Sequence, residues 1–90
     1  MEKQFTFDDL KFKPRNHPFG GIQAIMEFDN GHRISVVGGK GTYGDGIDSF
    51  EIWRSIDDGT KGYLSKDEVS EQMIELQKVS KDVPRDPFGF

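Results

Sequence analysis

Gly39-Lys40-Gly41-Thr42-Tyr43-Gly44 satisfies G-x-G-x-x-G after a strand-like run, the spacing at which backbone amides cradle a phosphate. A dinucleotide fold needs a helix next, so that its N-terminus faces the pyrophosphate. Here Asp45-Gly46-Ile47-Asp48 and a second strand-like run follow instead. The strand–loop–strand order is closer to a kinase glycine loop, but 90 residues cannot hold the remaining kinase parts. The G-x-x-x-x-G-K-[ST] pattern fails as well, because Gly41 follows Lys40 and Ile34 stands at the first glycine position. The segment therefore reads as a mobile hairpin connection, a kind of tip where binding surfaces are often carried.

The twelve residues from Asp57 to Glu68 have the outline of an EF-hand loop, with Asp57 first, Gly62 sixth, Leu64 eighth and Glu68 twelfth. Gly59 and Lys61 occupy the third and fifth positions, so two side-chain oxygens are missing and a cation stands among the rest. Calcium takes six to eight oxygens, and this degenerate turn does not supply them. Zinc fares no better: the chain has no Cys, and His17 and His32 are its only histidines. His17 precedes Pro18 in a loop, and His32 follows a turn and is expected to be solvated. Neither has a nucleophile near it in sequence, and no carboxylate pair is singled out as buried. The reading is non-enzymatic, with no cofactor and no metal.

The charge is uneven. Residues 1–40 carry six bases and five acids, and residues 41–90 carry six bases and eleven acids, for a net of −4. A nucleic-acid partner needs a concentrated cationic field, which an acidic chain lacks, although Lys11, Lys13 and Arg15 form a short basic run. No apolar run approaches the ~20 residues that span a bilayer. Eight Phe, two Tyr and one Trp nevertheless supply the bulk of a folded core.

The elements that must position these residues follow from periodicity. Leu10 to Lys13 alternates apolar and basic up to Pro14, and Arg15 to Gly21 is a loop. Ile22 to Phe28 alternates strongly, with Ala24, Met26 and Phe28 on one face. A three-residue turn with left-handed Gly31 sets Met26 opposite Ile34 and Ala24 opposite Val36; a two-residue turn would set Met26 opposite Ser35 and split the apolar set. After the returning strand Arg33 to Val37 and the glycine loop, Asp48 to Ser55 forms another strand, and Asp57-Asp58-Gly59 turns the chain. Ser65 and Glu68 make a capping box, with Leu64 and Val69 as its staple, so a helix starts there. Val69, Met73, Leu76 and Val79 form its apolar stripe, and Lys78 and Lys81 suit its negative end.

The simplest assembly is an α+β domain over residues 1–83: an antiparallel meander of three to four strands packed by one C-terminal helix, with a loose tail at 84–90. The helix covers Phe12, Met26, Phe28, Ile34, Val36, Phe50 and Ile52. The opposite sheet face then holds Ile25, Val37 and Trp53, unless Phe5-Thr6-Phe7 folds over it. Left open, that face is a protein-binding or homodimer surface with Trp53 as its anchor. Lys40, Tyr43 and Asp45 on the glycine loop are the second candidate binding group.

Several short motifs resemble a family of small uncharacterised proteins of tailed bacteriophages. They are Lys11-Phe12-Lys13-Pro14-Arg15, Asn30-Gly31 before Ile34-Ser35-Val36-Val37-Gly38, Tyr43-Gly44-Asp45-Gly46, Phe50-Glu51, and Gly62-Tyr63-Leu64-Ser65 ahead of Glu68-Val69. The resemblance implies a setting in the cytoplasm of an infected host and assigns no activity or functional residue. The expected function is a small protein-binding module that binds and inhibits a host or defence protein. The alternatives are a minor virion structural or assembly component, or a small-ligand or metal binder using the glycine loop or the Asp57 turn.

Overall fold

The computed structural model describes residues 4–83, which form five strands and one long helix. Strands β1 (Lys13–Pro14), β2 (Ile22–Glu27), β3 (Arg33–Gly38), β4 (Phe50–Arg54) and β5 (Lys61–Leu64) lie in chain order in one antiparallel sheet. Helix α1 (Lys66–Gln77) packs across one face, giving the expected α+β meander with one strand more than the pattern suggests. The expected tail at 84–90 lies outside the described residues.

The β2–β3 hairpin has the register that segregates its side chains. Ala24 pairs with Val36 and Met26 with Ile34. Phe28 closes the turn by donating its N–H to the His32 carbonyl at 2.8 Å, and Gly31 takes a positive φ of 83°. That left-handed residue is the reason three turn residues, and not two, connect these strands. β1 is shorter and later than the run Leu10 to Lys13 suggests. Its only pairs are Lys13 with Gln23 and Pro14 with Ile22, and a proline is tolerated because this is an edge strand. β5 escapes a periodicity search because it is four residues long and bulged. Glu51 of β4 faces both Gly62 and Tyr63, and Tyr63 adopts φ 57°.

The core lies between sheet and helix, where Phe28, Ile34, Val36, Phe50, Ile52, Val69, Met73 and Leu76 are buried. The N-terminal segment joins this side, not the opposite face. Phe7 stacks on Phe50 with ring centroids 4.9 Å apart and on Phe12 at 5.5 Å. Gln77 of α1 holds the segment as a strand would, accepting from the Phe5 N–H and donating to the Phe5 carbonyl, both at 2.8 Å. Phe7 N–H donates to the Ser70 hydroxyl at 2.9 Å. The alternative in which Phe5-Thr6-Phe7 covers the second sheet face is therefore corrected: hydrogen bonds to α1 and aromatic packing draw it to the helix.

Both ends of α1 are closed. At the start Ser65 accepts from the Glu68 N–H and Glu68 accepts from the Ser65 N–H, so the capping box is formed. At the other end the last turn holds no basic residue. The β2–β3 turn supplies the cap instead: Asn30 Nδ2 donates to the carbonyls of Leu76 and Val79, both at 2.9 Å. His32, expected to be solvated, has no exposed surface; its Nε2 lies 2.8 Å from the Ser80 carbonyl and its Nδ1 3.2 Å from Ser55 Oγ. A carbonyl can only accept, so Nε2 carries the hydrogen. Asn30→Ala deletes two donors that serve helix-end carbonyls, and is expected to cost about 1–3 kcal/mol in urea unfolding with an unchanged m-value. A loss under about 0.5 kcal/mol would show that water replaces the asparagine cap.

Candidate functional site

The glycine loop is a cross-linked platform, where the sequence suggests a mobile tip. Thr42 Oγ1 lies 2.8 Å from the carbonyls of both Gly39 and Gly44. The Gly39 N–H donates across the loop to Gly44 at 3.1 Å, and the Gly46 N–H to Ser49 at 2.9 Å. The glycines permit contact that any side chain would block. A Cβ on Gly44 would stand 2.6 Å from the Phe50 Cα, and one on Gly38 would run into the backbone of Gly46. Close backbone packing is what the glycines at 38 and 44 permit here.

Asp45 organises the far side of the loop. Its Oδ1 accepts from the N–H groups of Ile47, Asp48 and Ser49 at 2.8, 2.8 and 2.9 Å. These backbone donors, Ile47 first, hold its carboxyl well below the usual range, at about 2. The Asp45 carboxylate is thus occupied by its own loop, and the residue it raises, Ile47, is 69% exposed.

Tyr43 is held at several points. Its N–H donates to Glu51 Oε1 at 3.1 Å, its carbonyl accepts from the Tyr63 N–H at 2.7 Å, and its Cβ sits over Gly62, where no side chain would fit. The two tyrosine rings meet edge to face, with centroids 6.0 Å apart. Their exposures are 61% for Tyr43 and 70% for Tyr63. Nearby, Phe19 lies against Gly41, and Lys40 Nζ stands 5.7 Å from the Phe19 ring centroid. Phe19 is itself 57% exposed. The glycine loop and its neighbours therefore carry four exposed side chains: the Tyr43–Tyr63 pair, Phe19 against Gly41 with Lys40 over its ring, and Ile47 two residues beyond Asp45. Of these, sequence reasoning singles out Lys40 and Tyr43. Tyr63 is hidden in a bulge and Phe19 in a Pro-Phe-Gly turn, so neither belongs to a readable period.

The second sheet face carries the other candidates in two cross-strand rows. One row is Ile25–Ser35–Trp53 and the next is Lys13–Gln23–Val37–Glu51. Ile25 is 55% exposed and Val37 half-buried, but Trp53 is only 8% exposed, which corrects its expected role as a protruding anchor. It lines a groove of about 220 Å³ with Arg15, Ser35, Val37, Glu51 and Thr60. The structure thus brings Ile25, Val37 and Trp53 to one face, and places Lys40, Tyr43 and Asp45 together on the loop.

The EF-hand outline dissolves into other elements. Asp57 is bound by Arg54, whose Nε and Nη2 donate to its two oxygens at 2.8 and 3.0 Å. That hydrogen-bonded pair raises the Arg54 pKa, and Arg54 Nη1 also lies 3.6 Å from Glu75 of α1. Lys61–Leu64 is strand β5, and Glu68 serves the helix cap. Among the described residues no group of three or more His, Asp or Glu is placed to hold a metal ion, and no helix is long and apolar enough to cross a membrane.

No family model, curated protein or solved structure matches this chain.

Two outcomes follow. The Asp45 carboxyl ionises more readily in the folded than in the unfolded chain, so its contribution to stability is present above about pH 4 and is lost as the pH falls toward about 2. In Asp45→Asn this part of the acid limb is expected to flatten in urea midpoints measured from pH 5 to 2; an unchanged limb would show that the loop carboxylate is not the coupled group. Trp53→Ala is expected to cost about 3–5 kcal/mol in the same assay, the penalty of removing a buried indole. A loss below about 1 kcal/mol would return Trp53 to the exposed surface.

Proposed function

We propose that the protein is a non-enzymatic binding module that acts by contact with a host or phage protein, docking through the end that carries Tyr43, Tyr63, Phe19 and Ile47. The observation behind this reading is four large apolar side chains, each more than half exposed, on a base fixed by hydrogen bonds and close backbone packing. Tyr43 and Tyr63 meet ring to ring, and a monomeric domain gains nothing from presenting such a pair to water. Tyr43 on the glycine-rich loop and Tyr63 on β5 can bury much area for little lost rotamer entropy, the economy used by antibody loops. The strained Tyr63, a non-glycine residue at φ 57°, fits a position kept for binding and not for stability.

The resemblance to bacteriophage proteins supplies the proposed setting, the cytoplasm of an infected cell, and with it inhibition of a host or defence protein as the purpose. A role as a minor virion component uses the same surface against a phage partner.

Affinity capture from infected and uninfected host lysate, with wild-type protein and Tyr43→Ala side by side, tests this. The expected result is one stoichiometric partner whose binding Tyr43→Ala weakens about thirtyfold, the ~2 kcal/mol of an aromatic anchor, while helix content and urea midpoint stay near wild type. A partner held equally by the variant would remove this end from the interface. Co-purification with intact particles, and not with a host protein, would favour the virion role.

A further inference from the structure

The sheet face opposite α1 carries a charge at odds with the rest of the chain. Two depressions lie on it side by side. One is lined by Lys11, Lys13, Pro14, Asn16, Gln23 and Ile25, and the other is the Trp53 groove with Arg15. A hydrogen bond of 3.0 Å from Gln23 Nε2 to Ser35 Oγ forms the low ridge between them. Three cations therefore line these two depressions against one carboxylate, Glu51, which already accepts from the Tyr43 N–H, and the next row of the same face pairs Glu27 with Arg33. The chain as a whole carries −4.

Arg15 is the telling residue. Its Nη1 is buried and has no hydrogen-bond partner among the described residues. A guanidinium donor withdrawn from water and left unpaired costs free energy, and an incoming oxygen anion would recover it. Around it the face offers aliphatic surface from Ile25 and Val37 and no protruding aromatic ring, since Trp53 is 8% exposed. Single-stranded nucleic acid needs rings on which to stack, and this face lacks them. A two-fold pairing of the face with a second copy would bring its cations together.

We infer that this face receives an acidic segment of a partner protein, one carboxylate meeting Arg15 in the Trp53 groove, others meeting Lys11 and Lys13, and an apolar side chain resting on Ile25 and Val37. This rests on the reading of the protein as a contact module, but uses a surface other than the tyrosine end.

Trp53 is the only tryptophan in the chain, so its fluorescence reports on the groove directly. The probe is the capped hexapeptide Glu-Glu-Leu-Glu-Glu-Leu, titrated to about 1 mM at low salt, beside its all-Gln counterpart and a ten-residue oligothymidylate. The expected result is a saturable change with the acidic peptide alone, weakened by salt, and at least about tenfold weaker in Arg15→Gln and in Lys13→Gln. Ile25→Asp, at an exposed position, should weaken it likewise with the fold intact, and Tyr43→Ala should leave it unchanged. Equal responses to the Glu and Gln peptides, a silent titration, or tighter binding of the oligonucleotide would each overturn the proposal. So would a concentration-dependent dimer that Ile25→Asp abolishes. Because Tyr43-dependent capture reads the other surface, a silent titration beside retained capture overturns this inference and leaves the function standing, and the reverse pattern does the opposite.

Discussion

The rest of the structure depends on how the C-terminal end of α1 is closed. A helix ends with carbonyls that have no partner within it, and this one has neither a following glycine nor a base in its last turn to satisfy them. Beside the Lys78 and Val79 N–H groups, Asn30 and His32 of the β2–β3 turn, more than forty residues away in sequence, donate to the Leu76 carbonyl of the last turn and to the Val79 and Ser80 carbonyls just past it. The same Asn30 accepts from the His32 N–H at 3.1 Å, and Ser55 Oγ joins His32 to the Arg33 N–H, so the turn, the helix end and the end of β4 form one polar junction. That junction fixes the helix along the sheet. Once it is fixed, Gln77 and Ser70 stand where they can bind the backbone of Phe5 and Phe7. The segment around Phe5 and Phe7 is thereby committed to the helix side and does not cover the opposite face.

A small domain with one sealed face has little apolar area to spare, and this one concentrates its aromatics accordingly. Phe7, Phe12 and Phe50 meet pairwise within 4.9 to 5.7 Å, and Phe5 joins Phe28 at 6.2 Å. The glycine loop is the counterpart of this economy. Its glycines let backbone stack directly on backbone, so a connection between β3 and β4 becomes rigid without core residues of its own. Rigidity there matters for binding, because a preformed loop loses less entropy when a partner docks. The tyrosines and Ile47 are held out on that base, and the apolar surface they expose is not needed for the core.

Much of this was legible in the chain. Alternation over Ile22 to Phe28, the left-handed glycine and the Ser65–Glu68 box each obey a local rule, and the structure shows the register, the turn and the cap they imply. The failures at His32, Phe5 and Phe7 share a cause, since each concerns a residue whose environment comes from a distant segment. His32 looks like a solvated turn residue until the helix end arrives above it. Phe5 and Phe7 have no local preference for one sheet face, and hydrogen bonds to Gln77 and Ser70 decide it. β5 is invisible to periodicity because its bulge breaks the alternation at Gly62 and Tyr63. At the site, Tyr43 could be singled out by type and place, whereas its companions Tyr63 and Phe19 could not, for they reach it through tertiary packing alone.

Charge segregation then gives the two exposed surfaces different characters. The helix carries Asp67, Glu68, Glu71 and Glu75 and the turn before β5 carries Asp57 and Asp58, while Lys11, Lys13 and Arg15 gather at the β1 side of the open face. Ions of one sign kept apart from the other on so small a body make a dipolar field that orients an approaching partner before contact. On the proposal of an acidic partner, this field would steer it to the open face and turn it away from the helix. The tyrosine end sets Lys40 near Asp45, and on the proposed function it would recognise its target by shape and by rings. The two proposed roles, long-range selection and short-range fit, would then fall to separate parts of one sheet. The arrangement is possible because the helix and N-terminal segment together seal a single face and leave the other free.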